Sequence, residues 1–250
     1  MNLSGCTVLV TGGGTGIGLA LATALVKEGS QVLICGRNED SLIAAQEQLP
    51  GLEYKVCDLT VPEDREALLE WVRVSHPGLD VLVNNAGIQR EVNFRKGMED
   101  LDDGDNEILT NLEATVYLTA LFMPQLMAQS EAAVVNVSSG LAFIPIAAMP
   151  VYCATKAALH SFSQSLRHQL ASTPVKVFEL IPPTVDTNLD KGARERRGQA
   201  DRGISPAEVA AAALAGIQKD HYEIAVGRAQ TLMQGARSDP EGMFKGMNKS

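Results

Sequence analysis

Three residues of the chain could together exchange a proton with a small substrate. Tyr152 and Lys156 stand four apart at the start of a predicted helix, so their side chains share one face. An ammonium group close to a phenol favours the phenolate and lowers its pKa, which suits an acid/base working near neutral pH. Ser139 precedes Tyr152 by thirteen residues and could hydrogen-bond a carbonyl oxygen that becomes an alkoxide. Alone, a Tyr-x-x-x-Lys pair is equally compatible with the solvent face of any helix.

A glycine-rich stretch, Thr11–Gly18, could bind a phosphate group. The apolar, β-branched run Cys6–Val10 precedes it, and Ile17, Leu21 and Leu25 follow at helical spacing. The pattern predicts a strand, a glycine turn with the spacing G-x-x-x-G-x-G, and a helix. The N–H groups and partial positive charge at a helix N-terminus suit a phosphate, and glycines allow a pyrophosphate to approach closely. The alternative is a tight strand-to-helix turn that binds no ligand.

Strand and helix patterns alternate along the whole chain. We predict strands over 6–10, 31–35, 52–56, 81–83, 132–137, 175–180 and 224–226, and helices after the glycines, over 39–49, from 62, over 106–129, over 151–171 and from 205. Such alternation predicts a parallel sheet of about seven strands with helices on both faces. No repeat or linker interrupts it, so we expect residues 1–250 to form a single doubly wound, Rossmann-type α/β domain.

Polar or conformationally special residues follow the predicted strands. In parallel sheets ligands bind beyond the carboxyl ends of the strands, so residues at these ends should line one crevice. The strand ends carry Thr11, Gly36-Arg37, Asp58, Asn85, Ser138-Ser139 and Pro182-Pro183.

Composition excludes several classes of protein. The chain has 250 residues, 45% of them hydrophobic, and a formal net charge of −9, which argues against a nucleic-acid partner. No stretch has the apolar length needed to span a bilayer, and no signal peptide is recognisable. The four cysteines form no C-x-x-C pair, so we expect free thiols, a cytoplasmic protein, and neither a metal site nor a membrane partner.

Together these motifs resemble the short-chain dehydrogenase/reductase superfamily, in its single-domain branch of about this length. The resemblance rests on Thr11-Gly12-x-x-x-Gly16-x-Gly18, Asp58, Asn84-Asn85-Ala86-Gly87, Asn111, Ser139 and Tyr152-x-x-x-Lys156. It implies an enzyme that transfers a hydride between a nicotinamide cofactor and a small carbonyl or alcohol substrate.

The resemblance also implies a role for each catalytic residue. Tyr152 would be the general acid/base, and Lys156 would lower its pKa and hold the nicotinamide ribose. Ser139 would orient the substrate oxygen. Asn111, within the long predicted helix, would support a water-linked proton relay through Lys156. The alternative for Asn111 is a polar residue that kinks its helix.

The same resemblance implies the cofactor contacts. They are Thr11, Gly12, Gly14, Thr15, Gly16, Ile17, Gly18, Arg37, Asn38, Asp58, Leu59, Asn85, Ala86, Gly87, Tyr152, Lys156, Pro182, Val185 and Thr187. The chain departs from the family's pattern at Pro182-Pro183, where Pro-Gly is usual. Pro183 fixes φ and removes an N–H donor.

The end of the second strand predicts the choice of cofactor. Members that prefer NAD carry an acidic residue there, which binds the ribose hydroxyls. Here Gly36 offers no carboxylate to repel a 2′-phosphate, and Arg37 is a planar cation suited to phosphate. Thr15 is a departure, because many NADP-dependent members have a basic residue at that position. We predict NADP(H) as the cofactor, with NAD(H) less favoured.

Two other functions compete with this interpretation. A catalytically weak dinucleotide sensor or scaffold could use the same fold, although such proteins commonly lose the tyrosine or the lysine. An acyl-transfer hydrolase with Ser139 as nucleophile would need a histidine base, and no G-x-S-x-G elbow surrounds Ser139. The four histidines, which lie in helices or late segments and fit surface or packing roles, are His76, His160, His168 and His221.

Two further expectations concern a lid and the assembly. The charged segment 186–203 resembles either a substrate lid or a permanently solvated loop. The helices at 106–129 and 151–171 are apolar on more than one face, which with the resemblance predicts a homodimer or homotetramer. The apolar positions on the first are Leu118, Leu121, Phe122 and Leu126. The substrate walls, expected at 140–149, 89–94 and after Thr187, exclude few substrates.

Overall fold

The computed structural model describes residues 1–189, 192 and 203–248. Its seven strands are β1 (Thr7–Thr11), β2 (Gln31–Gly36), β3 (Glu53–Val56), β4 (Leu79–Asn84), β5 (Ala132–Val137), β6 (Val175–Ile181) and β7 (Glu223–Ala225). The helices are α1 (Gly16–Lys27), α2 (Glu39–Gln48), α3 (Pro62–Ser75), α4 (Met98–Leu101), α5 (Ala114–Met127), α6 (Pro150–Gln169), α7 (Pro206–Gln218), α8 (Arg228–Ser238) and α9 (Pro240–Met247). The lid predicted over 186–203 lies for the most part outside the described residues.

The strands form one sheet in the order β3-β2-β1-β4-β5-β6-β7, and every neighbouring pair is parallel. The predicted Rossmann-type architecture is confirmed. The order reverses between β1 and β4, because the chain builds outward to β3 and then returns to the other side of β1. Such a switch point opens a crevice between the two strand ends, and ligands of open α/β sheets bind there.

Alternate residues of the sheet enter two separate core layers. In β1, Val8 and Val10 pack into the layer that holds the apolar faces of α1 and α7, whereas Leu9 packs into the layer of α3 and α5. Phe122 of α5 is completely buried in the second layer. Burial of a side chain of this size stabilises the fold by roughly 1.5–3 kcal/mol. Both layers together hold the strand ends, and thus the crevice, in place.

The long helix predicted over 106–129 is not regular. A π turn covers Leu109–Glu113 before α5 begins, because the amide of Asn111 is drawn toward the chain after β4. The predicted polar loop at 89–105 contains a 3₁₀ turn, Phe94–Lys96, and the short helix α4. Helices α8 and α9 were not predicted. Within the described part of the chain, no helix is long and apolar enough to cross a membrane.

Candidate active site

Thr11 ties the end of β1 to the end of β4. Its hydroxyl donates to Val83 O (3.2 Å) and accepts from the backbone N–H groups of Asn85 (2.9 Å) and Ala86 (3.0 Å). The Asn85 side chain donates in return to Thr11 O at 2.8 Å. Thr11 is 1% exposed, so these bonds also satisfy buried polar groups. Thr11 therefore lies behind the crevice, where it fixes the backbone that lines the crevice.

The glycine turn is packed so closely that side chains would not fit. A Cβ on Gly18 would lie 2.2 Å from Gly12 O, and one on Gly14 would lie 2.6 Å from the Ser41 hydroxyl. Gly12 itself has φ +64°, a conformation that favours glycine. The first turn of α1 follows directly, and the side chain of its N-cap, Thr15, makes no capping bond. The backbone N–H groups of the first turn of α1 are thus available to an anion in the crevice.

Tyr152 and Lys156 lie side by side in the first turns of α6. Both are buried, at 5% and 4% exposure, and Lys156 Nζ lies 5.7 Å from the centroid of the Tyr152 ring. Nζ also donates to Val137 O at 2.9 Å, which fixes its position at the end of β5. Burial lowers the pKa of Lys156 to about 8, and the charge of Glu179 opposes this shift. The structure thus brings together Tyr152 and Lys156, the pair predicted to exchange a proton.

A buried carboxylate that we did not predict lies behind Lys156. Glu179 of β6 is completely buried, accepts a hydrogen bond from the Ser138 hydroxyl, and lies 2.7 Å from His160 Nδ1. That hydrogen bond raises the pKa of His160. His160 therefore does more than the packing role we expected of it. A charged residue at an inward position of a central strand is the signal that could have pointed to Glu179.

Ser139 and Asn111 flank the proton-exchange pair. Ser139 is 7% exposed at the end of β5, and its Oγ accepts from Leu141 N at 3.1 Å. The Asn111 side chain accepts from Ile88 N (2.8 Å) and donates to Ile88 O (2.9 Å). A Cβ on Gly87 would lie 3.3 Å from Asn111 Oδ1 and 3.5 Å from Lys156 Nζ. Asn111 Oδ1 and Lys156 Nζ thus both lie close to Gly87.

The ends of β2 and β3 contribute charged and polar groups. Arg37 pairs with Asp105 at 2.8 Å, and the hydrogen bond raises its pKa. Both side chains are about half exposed. The side-chain oxygen Oδ1 of Asn38 caps α2 by accepting from Ser41 N at 2.8 Å. Asp58 Oδ1 accepts from the N–H (2.9 Å) and hydroxyl (2.8 Å) of Thr60.

These groups surround one cleft of about 1010 Å³. Of the residues proposed from the sequence, three lie behind its wall, namely Thr11, Gly18 and Asn111. The others line it: Gly12, Gly14, Thr15, Gly16, Ile17, Arg37, Asn38, Asp58, Leu59, Asn85, Ala86, Gly87, Ser139, Tyr152, Lys156, Pro182, Val185 and Thr187. The structure therefore brings the strand-end residues together as the sheet topology predicts.

The far end of the cleft is built from residues that the sequence did not indicate. They belong to the chain from α8 onward and are Arg228, Leu232, Gly246, Met247 and Asn248. Asn248 Nδ2 donates to Pro145 O at 3.1 Å, and its Oδ1 accepts from Ala147 N at 2.5 Å. These bonds join the end of α9 to the predicted substrate wall. The pair Asp239-Pro240, an N-cap residue followed by a proline in the first turn, is the sequence signal that could have predicted the start of α9.

Pro183, the departure from the family pattern, fits between two walls of the cleft. Pro182 O accepts from Gly140 N at 3.0 Å, so the chain after β6 is bound to the turn that follows Ser139. A Cβ on Gly227 would lie 4.0 Å from Pro183 Cγ. The ring of Pro183 therefore lies close to the turn that leads into α8.

One group of side chains has the composition of a metal site. Among the described residues, His160, Glu179 and Glu223 have ligand atoms within 4.8 Å of one another. Glu223 already faces two guanidinium groups, those of Arg167 (3.7 Å) and Arg237 (3.8 Å). Two cations beside the same carboxylate oppose the binding of a third, so we assign no metal to this cluster.

Comparison with known proteins agrees with this geometry. The family described as short chain dehydrogenase matches residues 6–198. The chain belongs to this family. The oxidoreductase DltE of Bacillus subtilis is 50% identical over 248 residues, which cover 99% of this chain and 98% of that protein. The chain is therefore an oxidoreductase of the short-chain dehydrogenase type.

Solved structures of this family share the fold over the whole chain. A short chain dehydrogenase from Burkholderia cenocepacia, solved with NADP, is 25% identical, has a TM-score of 0.86, and is matched over 100% of both chains. A member from Burkholderia phymatum, solved with NAD, also has a TM-score of 0.86. It is 18% identical and is matched over 100% of this chain and 98% of its own. The family thus includes proteins that bind either dinucleotide.

Proposed function

We propose that this protein transfers a hydride between NADP(H) and a small carbonyl compound or secondary alcohol. The observation that carries the proposal is the burial of Tyr152 and Lys156 side by side in a cleft whose other end is a glycine turn. The turn suits a dinucleotide, because the absence of side chains at Gly14 and Gly18 keeps it compact: a Cβ would meet the Ser41 hydroxyl at Gly14 and the carbonyl oxygen of Gly12 at Gly18. When bound, the nicotinamide supplies or accepts the hydride.

The remaining chemistry falls to the chain's own residues. In the reductive direction Tyr152 donates a proton to the substrate oxygen, and Ser139 holds that oxygen as negative charge develops on it. Lys156 stabilises the phenolate that results, because an ammonium beside a phenol favours its charged form. Asn111 keeps the backbone at Ile88 in place and supports a water-linked path by which the proton is replaced.

We infer a preference for NADP(H) from the end of β2. Gly36 lines the cleft without a carboxylate, and Arg37 lies beside it. The Arg37–Asp105 pair is partly exposed, so a 2′-phosphate could replace Asp105 as the partner of the guanidinium. The measurement is kcat/KM for NADPH and for NADH with the unmodified protein. Equal or better values with NADH would refute the preference.

Replacement of Tyr152 tests the mechanism most directly. Tyr152→Phe keeps the buried ring but removes the proton, so turnover of a carbonyl should fall by roughly 10²–10⁴-fold while NADPH binding stays nearly intact. Tyr222→Phe, on the surface beside Arg167, is the matched control and should keep its turnover. A folded, cofactor-binding Tyr152→Phe variant with near-normal activity would reject the mechanism. The sensor or scaffold function would then explain the fold better.

We also propose that the protein forms a homodimer or homotetramer. Leu118, Phe122 and Leu126 of α5 are buried in the chain's own core, but Tyr117 and Met127 of the same helix are 54% and 41% exposed. This second apolar face is available for a copy of the chain. Light scattering that gives a 26.6 kDa particle at micromolar concentration would reject the proposal.

A further inference from the structure

We propose that the substrate carries an oxyanion group, a carboxylate or a phosphate, and that Arg228 binds it. This inference rests on the proposed function, since it names the class of carbonyl compound that the cleft accepts. It follows from the position of Arg228, from its lack of an ionic partner, and from the apolar surface around it.

Arg228 lies on the wall of the cleft near the proton-exchange site. It is the first residue of α8 and precedes Leu232 by one turn, so both side chains share a face of the helix. A Cβ on Gly140 would lie 2.9 Å from Leu232 Cδ1 and 3.3 Å from Ala229 Cα. Gly140 follows Ser139 directly. The Cα atoms of Ser139 and Arg228 are therefore no more than about 13 Å apart, because consecutive Cα atoms are 3.8 Å apart.

The guanidinium of Arg228 has no carboxylate partner among the described residues. Within the described part of the chain its polar contact is a 3.6 Å approach of Nη2 to Met247 Sδ, and a thioether is a weak acceptor. By contrast, Arg37 at the opposite end of the cleft pairs with Asp105 at 2.8 Å. In a chain with a net charge of −9, an arginine on a cleft wall without such a partner keeps its donors available to a ligand.

Most of the described side chains around Arg228 are apolar, with Asn248 as a polar exception. The apolar walls include Leu141, Ile146, Met149, Leu232 and Met247. Among the described residues the other cation at this end of the cleft is Lys156, which is buried and donates to Val137 O. A mostly apolar wall with one charged group is how small-molecule sites fix the orientation of a ligand. An oxyanion on Arg228 would direct the carbonyl end of the same molecule toward Ser139 and Tyr152.

Guanidinium groups bind carboxylates and phosphates through two parallel hydrogen bonds. A hydrogen bond to a charged group contributes about 1.5–3 kcal/mol, which corresponds to roughly 10–150-fold in affinity. The oxyanion takes no part in the reaction and is unchanged by it. Its contribution should therefore be visible in binding as well as in turnover.

The test compares charged and neutral forms of the same carbonyl compound. The probes are 2-oxo, 4-oxo and 6-oxo acids against their methyl esters, and hydroxyacetone phosphate against hydroxyacetone. With the unmodified enzyme, at least one charged form should exceed its neutral partner in kcat/KM by roughly tenfold or more. In Arg228→Met that ratio should fall to about one, mainly through KM of the charged form. Whether acids or the phosphate show the effect identifies the source of the oxyanion.

Two further measurements separate this inference from the proposed function. Arg237→Met, on the exposed part of α8 beside Glu223, is the matched control and should keep the charged-to-neutral ratio. Calorimetric binding of the acids and the phosphate to the enzyme loaded with NADP⁺ needs no turnover. Binding that Arg228→Met abolishes supports the inference even if no probe is reduced. Two results would overturn the inference and leave the hydride-transfer function intact. One is an equal kcat/KM for the charged and the neutral compound in every pair. The other is equal binding of the acids and the phosphate by the unmodified enzyme and by Arg228→Met.

Discussion

The two ends of the cleft are built on different principles. We call the glycine turn, where we propose that the cofactor binds, the cofactor end, and the region around α8 and α9, where we propose that the substrate binds, the substrate end. At the cofactor end, backbone groups of the turn after β1 lie against the end of β4 and are held by Thr11 and Asn85. At the substrate end, side chains from α8 and α9 meet the wall after β5 through contacts such as that of Asn248 with Pro145 O. The first end therefore depends on positions where no side-chain atom can be added. The second depends on side chains that can be exchanged while the sheet stays intact.

The largest effect on ligand binding is expected from Gly18→Ala, which tests the rigidity of the cofactor end. In Gly18→Ala the added Cβ would lie 2.2 Å from Gly12 O, so the turn must shift. A displacement of about 1 Å can cost 10²-fold, and we expect the affinity for NADPH, measured by fluorescence titration, to fall by roughly that factor. Gly78→Ala meets no atom within 4 Å and is the control. A Gly18→Ala variant with unchanged affinity would show that the cofactor end is not rigid.

An effect of similar free energy, on folding rather than on binding, is expected from Lys156, which lies between the two ends. Burial lowers its pKa from 10.5 to about 8, so between these pH values the unfolded chain binds more protons than the folded one. The free energy of unfolding should therefore rise with pH across this window, by about 3 kcal/mol at 1.36 kcal/mol per pKa unit. Lys156→Met removes this titration. The difference in unfolding free energy between the two proteins, measured with denaturant from pH 7.5 to 10.5, should shift in favour of the unmodified one. A constant difference would contradict the depressed pKa.

The smallest expected effect concerns the substrate end. Asn248→Ala removes two hydrogen bonds to the segment at Pro145 and Ala147, each contributing about 0.5–1.5 kcal/mol. We expect KM for the carbonyl to rise by roughly 2–10-fold while the dissociation constant of NADPH stays the same. Asn2 is the control, because its side chain accepts from nearby Ser4 N. Asn2→Ala should change neither value. A parallel loss of cofactor affinity in Asn248→Ala would show that the two ends are not independent.

The sequence predicted which strand ends meet at the cleft, because strands and helices depend on local patterns. Their alternation, together with the rule that ligands bind beyond strand ends, predicts that Asp58 and Asn85 line one crevice, as they do, whereas Thr11 lies behind its wall. Each predicted strand boundary lies within two residues of the one in the structure. The family resemblance added the roles of Tyr152 and Lys156, which remain proposals for this chain.

The remaining features depend on contacts between distant parts of the chain. The Arg37–Asp105 pair joins the end of β2 to the loop after β4, and no local pattern predicts which carboxylate reaches an exposed arginine. Glu179 lies in a strand that is apolar apart from Lys176, and its buried carboxylate is satisfied by Ser138 and His160, which come from other parts of the chain. Helices α8 and α9 are only 11 and 8 residues long, and just Ala229 and Leu232 of α8 are buried among them, so neither offers the long apolar repeat by which a helix is predicted from sequence.

The π turn at Leu109–Glu113 has a consequence for protein engineering. In a regular α-helix each residue advances by about 100°, so removal of the extra residue would rotate Asn111 away from Ile88. The turn is also a locally frustrated segment, because the buried hydroxyl of Thr110 has no hydrogen-bond partner among the described residues. Selection for heat resistance alone would favour deletions that restore regular winding here. Thermostable variants obtained in that way should be enriched in enzymes that have lost activity.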